Sequence, residues 1–458
     1  MPGLRLSRQP LKARVSSGTA GTPASEYLIS LKSAVLLGTW DQVDGGHPVL
    51  VDSLLKKLLG FSLGVLAAPV IALAQTPPAI GGGDARLHFG PLALQPRIGL
   101  TDVGVDTNVF NAHTGRTRDF TATFVPGVDS WLRVGRSQLS TKTSLELIYF
   151  QKSRDQRSRA FSQEGRFEVP MARITPFITG AQTATHQRPN AEIDARVRQN
   201  VRTVGVGASL RFGARTVATV QSERRKTTFG STSVLDETGE IGRALNRRTN
   251  IEGLTLDVEL TPLTTFVVKT ELQHERFELS PVRDSDNATV MAGFRFKPFA
   301  MISGSAFVGY RRLNALSAEL QDYSGPVAAV DASYLWREST RVKAKVDRNV
   351  EYSVDATAPY YVSFGGTIIV TQALGGRWDA VGQLSHTALS YRSLLDPASV
   401  QTTAGRNDRQ LTRGVGLGYR IGADMRMGVD VNYNRRLSGI TARQYEGYRM
   451  GGSFTYAY

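Results

Sequence analysis

The sequence lacks cysteine, and it has no long hydrophobic run after its N-terminal region. Without thiols the chain forms no disulfide framework and no zinc or iron–sulfur site of the thiolate type. Without an uncharged apolar stretch of about 18 residues beyond position 75, it is not a bundle of membrane-spanning helices. The sequence patterns of zinc proteases, α/β-hydrolases, P-loop proteins and dinucleotide-binding proteins are also missing. These absences predict a protein that is not an enzyme and has no catalytic, metal or cofactor site.

Residues 51–75 have the composition of a secretory signal peptide. Lys56 and Lys57 form its charged n-region, residues 58–71 form its apolar core, and Ala72-Leu73-Ala74 is a small-residue cleavage site. Because a signal peptide stands at the start of a chain, we interpret residues 1–50 as a non-native or disordered extension, with translation starting near Val51. N-terminal sequencing of the precursor tests this start site. The predicted order is therefore extension 1–50, signal peptide 51–75, Pro/Gly-rich periplasmic lead 76–92 and β-barrel 93–458.

From about Ala93 to the end of the chain, apolar residues recur at every second position, which is the period of a β-strand with two different faces. Between Asp424 and Asn434, for example, the apolar positions are Met425, Met427, Val429, Val431 and Tyr433. About 18 such segments occur, and many are longer than the strands of globular proteins but suited to a tilted membrane crossing. We therefore predict an all-β fold: a single antiparallel transmembrane β-barrel of about 18 strands, with 16 as the next alternative.

The connections between these segments alternate in length. Tight turns such as Gly135-Arg136 and Gly213-Ala214 are followed by longer polar connections such as 187–197, 230–245 and 393–408. This asymmetry is typical of bacterial outer-membrane barrels, whose short turns face the periplasm. Periodicity leaves open whether the longest loops fold inward.

Closure of the barrel has a physical basis at the two ends of the predicted sheet. Every backbone polar group in hydrocarbon must be hydrogen-bonded, so the strand near 94–105 must pair with the last strand near 443–458. Asp102 and Asp106 should then face inward or lie near a rim. The last strand also ends in aromatic residues, and we predict an insertion signal for the barrel insertion machinery at Phe454, Tyr456 and Tyr458.

The segments FGPLALQPRIGLTDVGVDTNVFN, from Phe89 to Asn111, and DFTATFVPGVDSWLRVGR, from Asp119 to Arg136, resemble the opening of the outer-membrane β-barrel porin type 2 family. The resemblance covers the first two or three strands, and the rest of the chain only as architecture. It implies a barrel in the bacterial cell outer membrane with a poorly defined substrate. Some members are similar to proteins encoded beside exopolysaccharide or capsule export systems. The resemblance supplies no catalytic residues.

Charged residues opposite the apolar faces are candidates to line a pore. The group contains both signs of charge: Asp129, Arg133, Lys142, Glu146, Asp257, Glu259, Lys269, Glu271, Arg341, Lys343, Lys345, Asp347, Arg420, Arg426 and Asp430. Arg341, Lys343 and Lys345 share one strand, which favours a mild preference for anionic solutes. Sequence does not show whether acidic neighbours cancel this charge.

The chain has 55 basic and 40 acidic residues, and the excess persists after the signal peptide. In a secreted barrel this excess favours contact with the phosphates of outer-membrane lipids and argues against nucleic acid as a partner. A barrel of 16 to 18 strands holds an aqueous channel. We therefore predict a porin for passive diffusion of small hydrophilic solutes. The alternatives are a barrel associated with polysaccharide or other export components, or a plugged structural barrel.

Overall fold

The computed structural model describes residue 85 and residues 87–230, 234–235, 239–298, 301–394, 405–422 and 424–456. The predicted N-terminal extension, the signal peptide, residues 76–84 of the lead and Tyr458 lie outside the described residues. Within the described part of the chain, no helix is long and apolar enough to cross a membrane.

Eighteen long strands form one closed antiparallel sheet, as predicted. Each pairs with the next, and β18 pairs with β1 through Ile98 opposite Tyr456, which closes the barrel. The strands are β1 Leu92–Asp106, β2 Asp119–Val134, β3 Ser137–Phe150, β4 Ser158–Glu168, β5 Ile174–Gln187, β6 Val197–Phe212, β7 Thr216–Phe229, β8 Arg247–Thr261, β9 Thr264–Phe277, β10 Ser285–Phe296, β11 Ile302–Ala315, β12 Tyr323–Trp336, β13 Thr340–Tyr352, β14 Tyr360–Gly375, β15 Trp378–Arg392, β16 Asn407–Ile421, β17 Met425–Leu437 and β18 Tyr445–Tyr456.

Alternate residues differ sharply in exposure in strands such as β6 and β8, because the two faces meet different surroundings. In β6, Val204 and Val206 are more than half exposed, whereas Val201 and Thr203, on the other face of the same strand, are buried. The same exposed apolar face recurs on strands around the barrel, for example at Val429 in β17. Closure leaves no unpaired strand edge between these faces, so they form an outer surface that can meet lipid.

The alternation of turn lengths is also confirmed. Connections of two to five residues join the strands at one end of the barrel, and connections of seven to seventeen residues join them at the other. The tight turn between β6 and β7 contains Gly213 with φ of +68°, and the turn between β12 and β13 places Arg337 and Glu338 at φ of +50° and +60°. The left-handed conformation at these positions lets the chain reverse within the three residues that each of these turns contains. The end with the long connections is called the long-loop end below.

Only small elements lie outside the barrel wall in the described residues. A short strand, Leu87–Phe89, folds back on the start of β1. The connection between β7 and β8 contains the pairing of Val234–Leu235 with Gly239–Glu240 and the helix α1, Ile241–Leu245. Single 3₁₀ turns occur at Arg154–Gln156, Pro281–Arg283 and Thr441–Arg443.

Candidate functional site

Charged side chains on the inner face of the barrel pair with one another along and across strands. Arg97 of β1 donates to Asp129 of β2 at 2.6 Å. Asp257 of β8 lies 3.2 Å from Arg295 of β10, so this ion pair crosses the intervening strand β9. Such pairs share a surface that is only partly buried, where each contributes little to stability but sets the local charge.

The predicted basic strand, β13, has an acidic neighbour. Lys343 and Lys345 lie 3.2 and 3.3 Å from the two oxygens of Asp331 on β12. Arg341, at the start of β13, makes no ion pair within the described residues. Two lysines therefore share one carboxylate, and the group of four side chains keeps a net positive charge.

A second group lies near the short-turn end. Asp379 of β15 is almost fully buried and accepts hydrogen bonds from Arg426 of β17 at 2.5 and 3.1 Å, and from Arg420 of β16 at 3.4 Å. Arg426 must cross β16 to reach Asp379, and it passes over Gly418, where a Cβ atom would collide with its guanidinium. The glycine is therefore required by a close approach.

The other predicted pore-lining residues have more varied surroundings. Glu146 accepts a hydrogen bond from Gln187, Glu271 from Gln273, and Asp430 from Asn432. Lys269 stacks over the ring of Phe307 at 4.2 Å, and Glu259 lies 3.7 Å from Lys297. Lys142 stands directly opposite both Asp129 and Glu164, Asp347 stands opposite Gly365, and Arg133 is exposed near the short-turn end.

At the long-loop end, the connection between β5 and β6 reaches across the barrel mouth to β16 and β17. Arg436 of β17 is 1% exposed and donates to the carbonyl oxygens of Ala191 and Glu192, both at 3.1 Å. It also binds Asp194 at 2.7 Å and Asp408 of β16 at 2.6 Å. One guanidinium thus holds three residues of this loop against the opposite wall, and we call residues 188–196 the β5–β6 loop.

A second inward connection joins β13 to β14, and we call residues 353–359 the β13–β14 loop. Arg283, which is 3% exposed, donates to the carbonyl oxygens of Ser353 at 3.1 Å and Asp355 at 2.8 Å. Arg406 binds the Asp355 carboxylate at 3.4 Å and Asp408 at 2.9 Å. Because Asp408 also binds Arg436, one buried carboxylate connects the anchors of both loops.

The two inward loops bind each other directly through Glu192. Its carboxylate accepts the Ser353 hydroxyl at 2.6 Å and the Val354 amide at 3.1 Å. Burial raises the pKa of Glu192 above its usual value, although these two hydrogen bonds act in the opposite direction. The carboxylate is therefore a titratable contact between the loops.

Apolar packing covers one side of the same contact. Twelve buried residues form a cluster inside the mouth, drawn from both loops, from α1, from the connection between β11 and β12 and from the ends of six strands: Ile193, Val197, Phe229, Ile241, Leu245, Phe277, Leu313, Leu320, Val350, Tyr352, Val354 and Tyr360. Phe277 of β9 meets Tyr352 of β13 edge to face, with ring centroids 4.8 Å apart. The loops are therefore fixed by a small core as well as by ion pairs.

The remaining edge of the β5–β6 loop is basic. Arg188 and Arg196 both donate to the carbonyl oxygen of Val109 in the β1–β2 connection, at 2.9 and 3.1 Å. Arg196 also stacks over Phe150 at 4.6 Å. The arrangement is a constriction at the long-loop end whose rim carries both guanidinium and carboxylate groups.

Sequence reasoning did not identify this constriction. The β13–β14 loop was absent from the predicted connections, although Asp355 and Pro359 are turn-forming residues that mark it. Of the long connections considered for inward folding, 230–245 contributes α1 to the buried cluster and 393–408 contributes Arg406 and Asp408; their other parts include residues outside the described ranges. Within the described residues, no group of three His, Asp or Glu side chains is arranged to hold a metal ion.

Among solved structures, the chain is similar to OpdK of Pseudomonas aeruginosa at 11% identity and a TM-score of 0.44, with 79% of this chain and 98% of OpdK covered. It is similar to a BenF-like porin of Pseudomonas fluorescens Pf-5 at 10% identity and a TM-score of 0.46, with coverages of 80% and 99%. The FrpB iron transporter of Neisseria meningitidis matches at 10% identity and a TM-score of 0.37, with 75% of this chain and 62% of FrpB covered.

No curated protein matches the chain. The model of the family described as "Putative beta-barrel porin 2" matches residues 87–456, which include every strand of the barrel. The chain therefore belongs to this β-barrel porin family of the bacterial outer membrane.

Proposed function

We propose that this barrel allows passive diffusion of small hydrophilic solutes and that the two inward loops set its size limit. The observation that supports this proposal is the constriction itself: loops anchored by Arg436 and Arg283 narrow the mouth above a wall of charged side chains. A charged wall keeps water and ions in a wide barrel, and a fixed narrowing selects solutes by size.

The predicted pore-lining residues are proposed as the wall of this channel. Lys343 and Lys345 share Asp331, and Arg341 adds a further positive charge to the same side. The proposed selectivity is consequently a weak preference for anions, since neighbouring carboxylates elsewhere on the wall attract cations.

Planar-bilayer recording of the full chain, purified from outer membranes, tests this function. We expect discrete conductance steps and, in a salt gradient, a reversal potential of the sign that indicates anion preference. Partition of neutral polyethylene glycols of increasing size into the channel then measures the narrowest section. A folded barrel that stays silent across the accessible voltage range would contradict the proposal.

The packed cluster at the mouth favours one alternative, a plugged structural barrel. Tyr352 and Tyr360 belong to this cluster and fill part of the space between the loops and the wall. Deletion of residues 354–358, within the β13–β14 loop, separates the two readings. Conductance in the deletion variant alone indicates a plug, whereas conductance in both proteins, larger in the variant, indicates a constricted pore.

Assembly into the membrane is a further proposal for the last strand. Phe454 and Tyr456 lie on β18, and Phe454 stands opposite the exposed residues Leu100 and Met427. We propose that these aromatic residues, together with Tyr458, are read by the insertion machinery. Replacement of Phe454 and Tyr456 by alanine should leave unfolded chain in the periplasm, which fractionation measures.

A further inference from the structure

The outer face of strands β4–β9 carries a dense group of basic side chains near the long-loop end. We call it the basic face, and its members are Arg159, Arg198, Arg202, Arg224, Lys226, Arg248 and Arg276. The corresponding part of β10–β14 carries only Arg312 and Arg348 among the described residues. Strands β15–β17 carry a second outward group, Arg392, Arg409, Arg413 and Arg435, so the basic face is the larger of two basic regions on the outer surface.

Four of these cations stand in one row across neighbouring strands. Arg202 is directly opposite Lys226, Lys226 is opposite Arg248, and Arg248 is opposite Arg276. Adjacent strands are about 4.8 Å apart, and like charges directly opposite each other destabilise a sheet. A row of this kind is tolerable where anions lie against it.

The carboxylates of the chain supply only part of that negative charge. Glu278 lies 3.0 Å from Lys226 and 3.7 Å from Arg248, and Asp286 lies 2.8 Å from Arg276. Within the described residues, Arg202 makes no ion pair. The same holds for Arg159, Arg198 and Arg224, so the face keeps a clear positive excess.

Two surface grooves continue the basic face in opposite directions along the strands. The groove nearer the loops encloses about 560 Å³ and is lined by Arg157, Arg159, His186 and Arg198, with polar side chains between them. Its lining groups include donors suited to anions, since guanidinium groups bind phosphate oxygens in a bidentate manner.

The second groove lies nearer the middle of the membrane. It encloses about 660 Å³ and is lined mainly by apolar residues, including Val206, Val220, Leu254 and Leu272. Leu254 follows Arg248 by six residues on β8, which is about 20 Å along a strand. One acidic residue, Glu252, also lines this groove, and it lies between Arg248 and Leu254 on β8.

Charges above an apolar groove on a lipid-facing surface match a molecule with phosphates at its head and acyl chains below. We propose that the basic face binds the phosphorylated glycolipid of the outer leaflet, with its phosphates on the row from Arg202 to Arg276 and an acyl chain in the groove beside Leu254. The long-loop end places this row at the outer leaflet, because the short turns of such barrels face the periplasm.

The test compares two substituted proteins that lose outward cations at the same end of the barrel. The first carries Arg202→Ala, Arg224→Ala and Arg248→Ala; the matched control loses the same number of cations and carries Arg312→Ala, Arg348→Ala and Arg409→Ala. Binding of purified bisphosphorylated lipid A to the detergent-solubilised full chain is measured by native mass spectrometry. We expect about a hundredfold weaker binding in the first protein, at roughly fivefold for each cation removed, and little change in the control.

Competition identifies the ligand. Monophosphorylated lipid A should bind more weakly than the bisphosphorylated form. Inorganic phosphate and phosphatidylglycerol should not displace bound bisphosphorylated lipid A. Equal weakening in both substituted proteins would overturn the proposal, because it would indicate nonspecific attraction. Displacement by phosphate alone would indicate a free-anion site, and equal binding of phosphatidylglycerol would indicate an unspecific anionic-lipid surface; either result also overturns it. Heat-modifiable electrophoretic mobility verifies that every protein is folded.

Discussion

The two ends of the barrel use charged residues in different ways. Near the short-turn end, Arg420 and Arg426 bind Asp379 on the wall, and Arg420 keeps more than half of its side chain exposed. At the long-loop end, Arg436 and Asp408 are almost completely buried and hold segments that are far apart in the chain. An arginine that binds a carboxylate while staying in solvent adds its charge to the wall, whereas a pair buried on both sides fixes a loop in position.

Replacement of Arg436 by alanine tests the second role and should have the largest effect. It removes four hydrogen bonds and leaves the buried Asp408 carboxylate with Arg406 as its one remaining ion-pair partner among the described residues. Losing one partner of a buried pair costs about 3–5 kcal/mol, so the β5–β6 loop should be released. Larger single-channel conductance and rapid hydrogen exchange of residues 188–196 are the expected results.

The wall supplies the control for that experiment. Arg420→Ala leaves Asp379 bound to Arg426, and the contact that is lost is long, at 3.4 Å, and made by an exposed arginine, so it contributes about 0–1 kcal/mol. Its exchange pattern and conductance should stay close to those of the unmodified protein. Similar loop release in both variants would show that the ends do not differ as described.

A packing substitution in the wall should have a smaller effect. Gly207 faces Phe177, and a Cβ atom there would collide with the ring and with the carbonyl oxygen of Val220. Gly207→Ala should therefore destabilise the barrel by about 1–3 kcal/mol in urea unfolding. Gly180→Ala has open space around the new methyl group and should be nearly neutral. Equal midpoints for the two variants would contradict this account.

Glu192 tests whether the two inward loops act together. Glu192→Ala removes the acceptor of Ser353 and Val354, and buried donors without a partner cost about 1–3 kcal/mol. Exchange should increase in both loops at once. Glu192→Gln keeps an acceptor oxygen and should change exchange less; an increase confined to residues 188–196 in the alanine variant would show that the loops are independent.

The charge of the wall can be changed without touching the mouth. Asp331→Asn removes the carboxylate shared by Lys343 and Lys345. A unit charge about 7 Å from an ion in water contributes about 0.6 kcal/mol, which corresponds to a twofold to threefold change in permeability ratio. The reversal potential in a salt gradient should shift toward anion preference, and an unchanged value would place these lysines away from the ion path.

A pH titration should give the smallest effect. Burial raises the pKa of Glu192 above 4.5, so its contribution to loop stability is complete below pH 4.5 and is lost as the pH rises through the raised value. Amide hydrogen exchange of the two loops, corrected for its intrinsic pH dependence, should increase in the unmodified protein as the pH rises from 4.5 through the raised pKa of Glu192. The increase should be absent in Glu192→Gln, and its persistence there would assign the titration to another group.

Much of the wall could be predicted because its rule is local. Alternation at Leu254, Leu256 and Val258 places apolar side chains outward, and their neighbours Asp257 and Glu259 on the inner face. Strand number followed from the spacing of these segments, and the pairing of first and last strands followed from the need to satisfy backbone hydrogen bonds in lipid. The shared carboxylate of Lys343 and Lys345 could not be predicted, because it depends on the register between β12 and β13.

Sequence alone determined the barrel, the alternation of its short and long connections and its two faces, since a period of two residues and the solvent properties of hydrocarbon act on each strand separately. Tertiary structure decided the constriction. Glu192 meets Ser353 across 161 positions of the chain, and Arg436 meets Asp194 across 242. No local pattern encodes such contacts, because they exist only after closure brings distant loops to one mouth, where burial makes an ion pair strong enough to hold them.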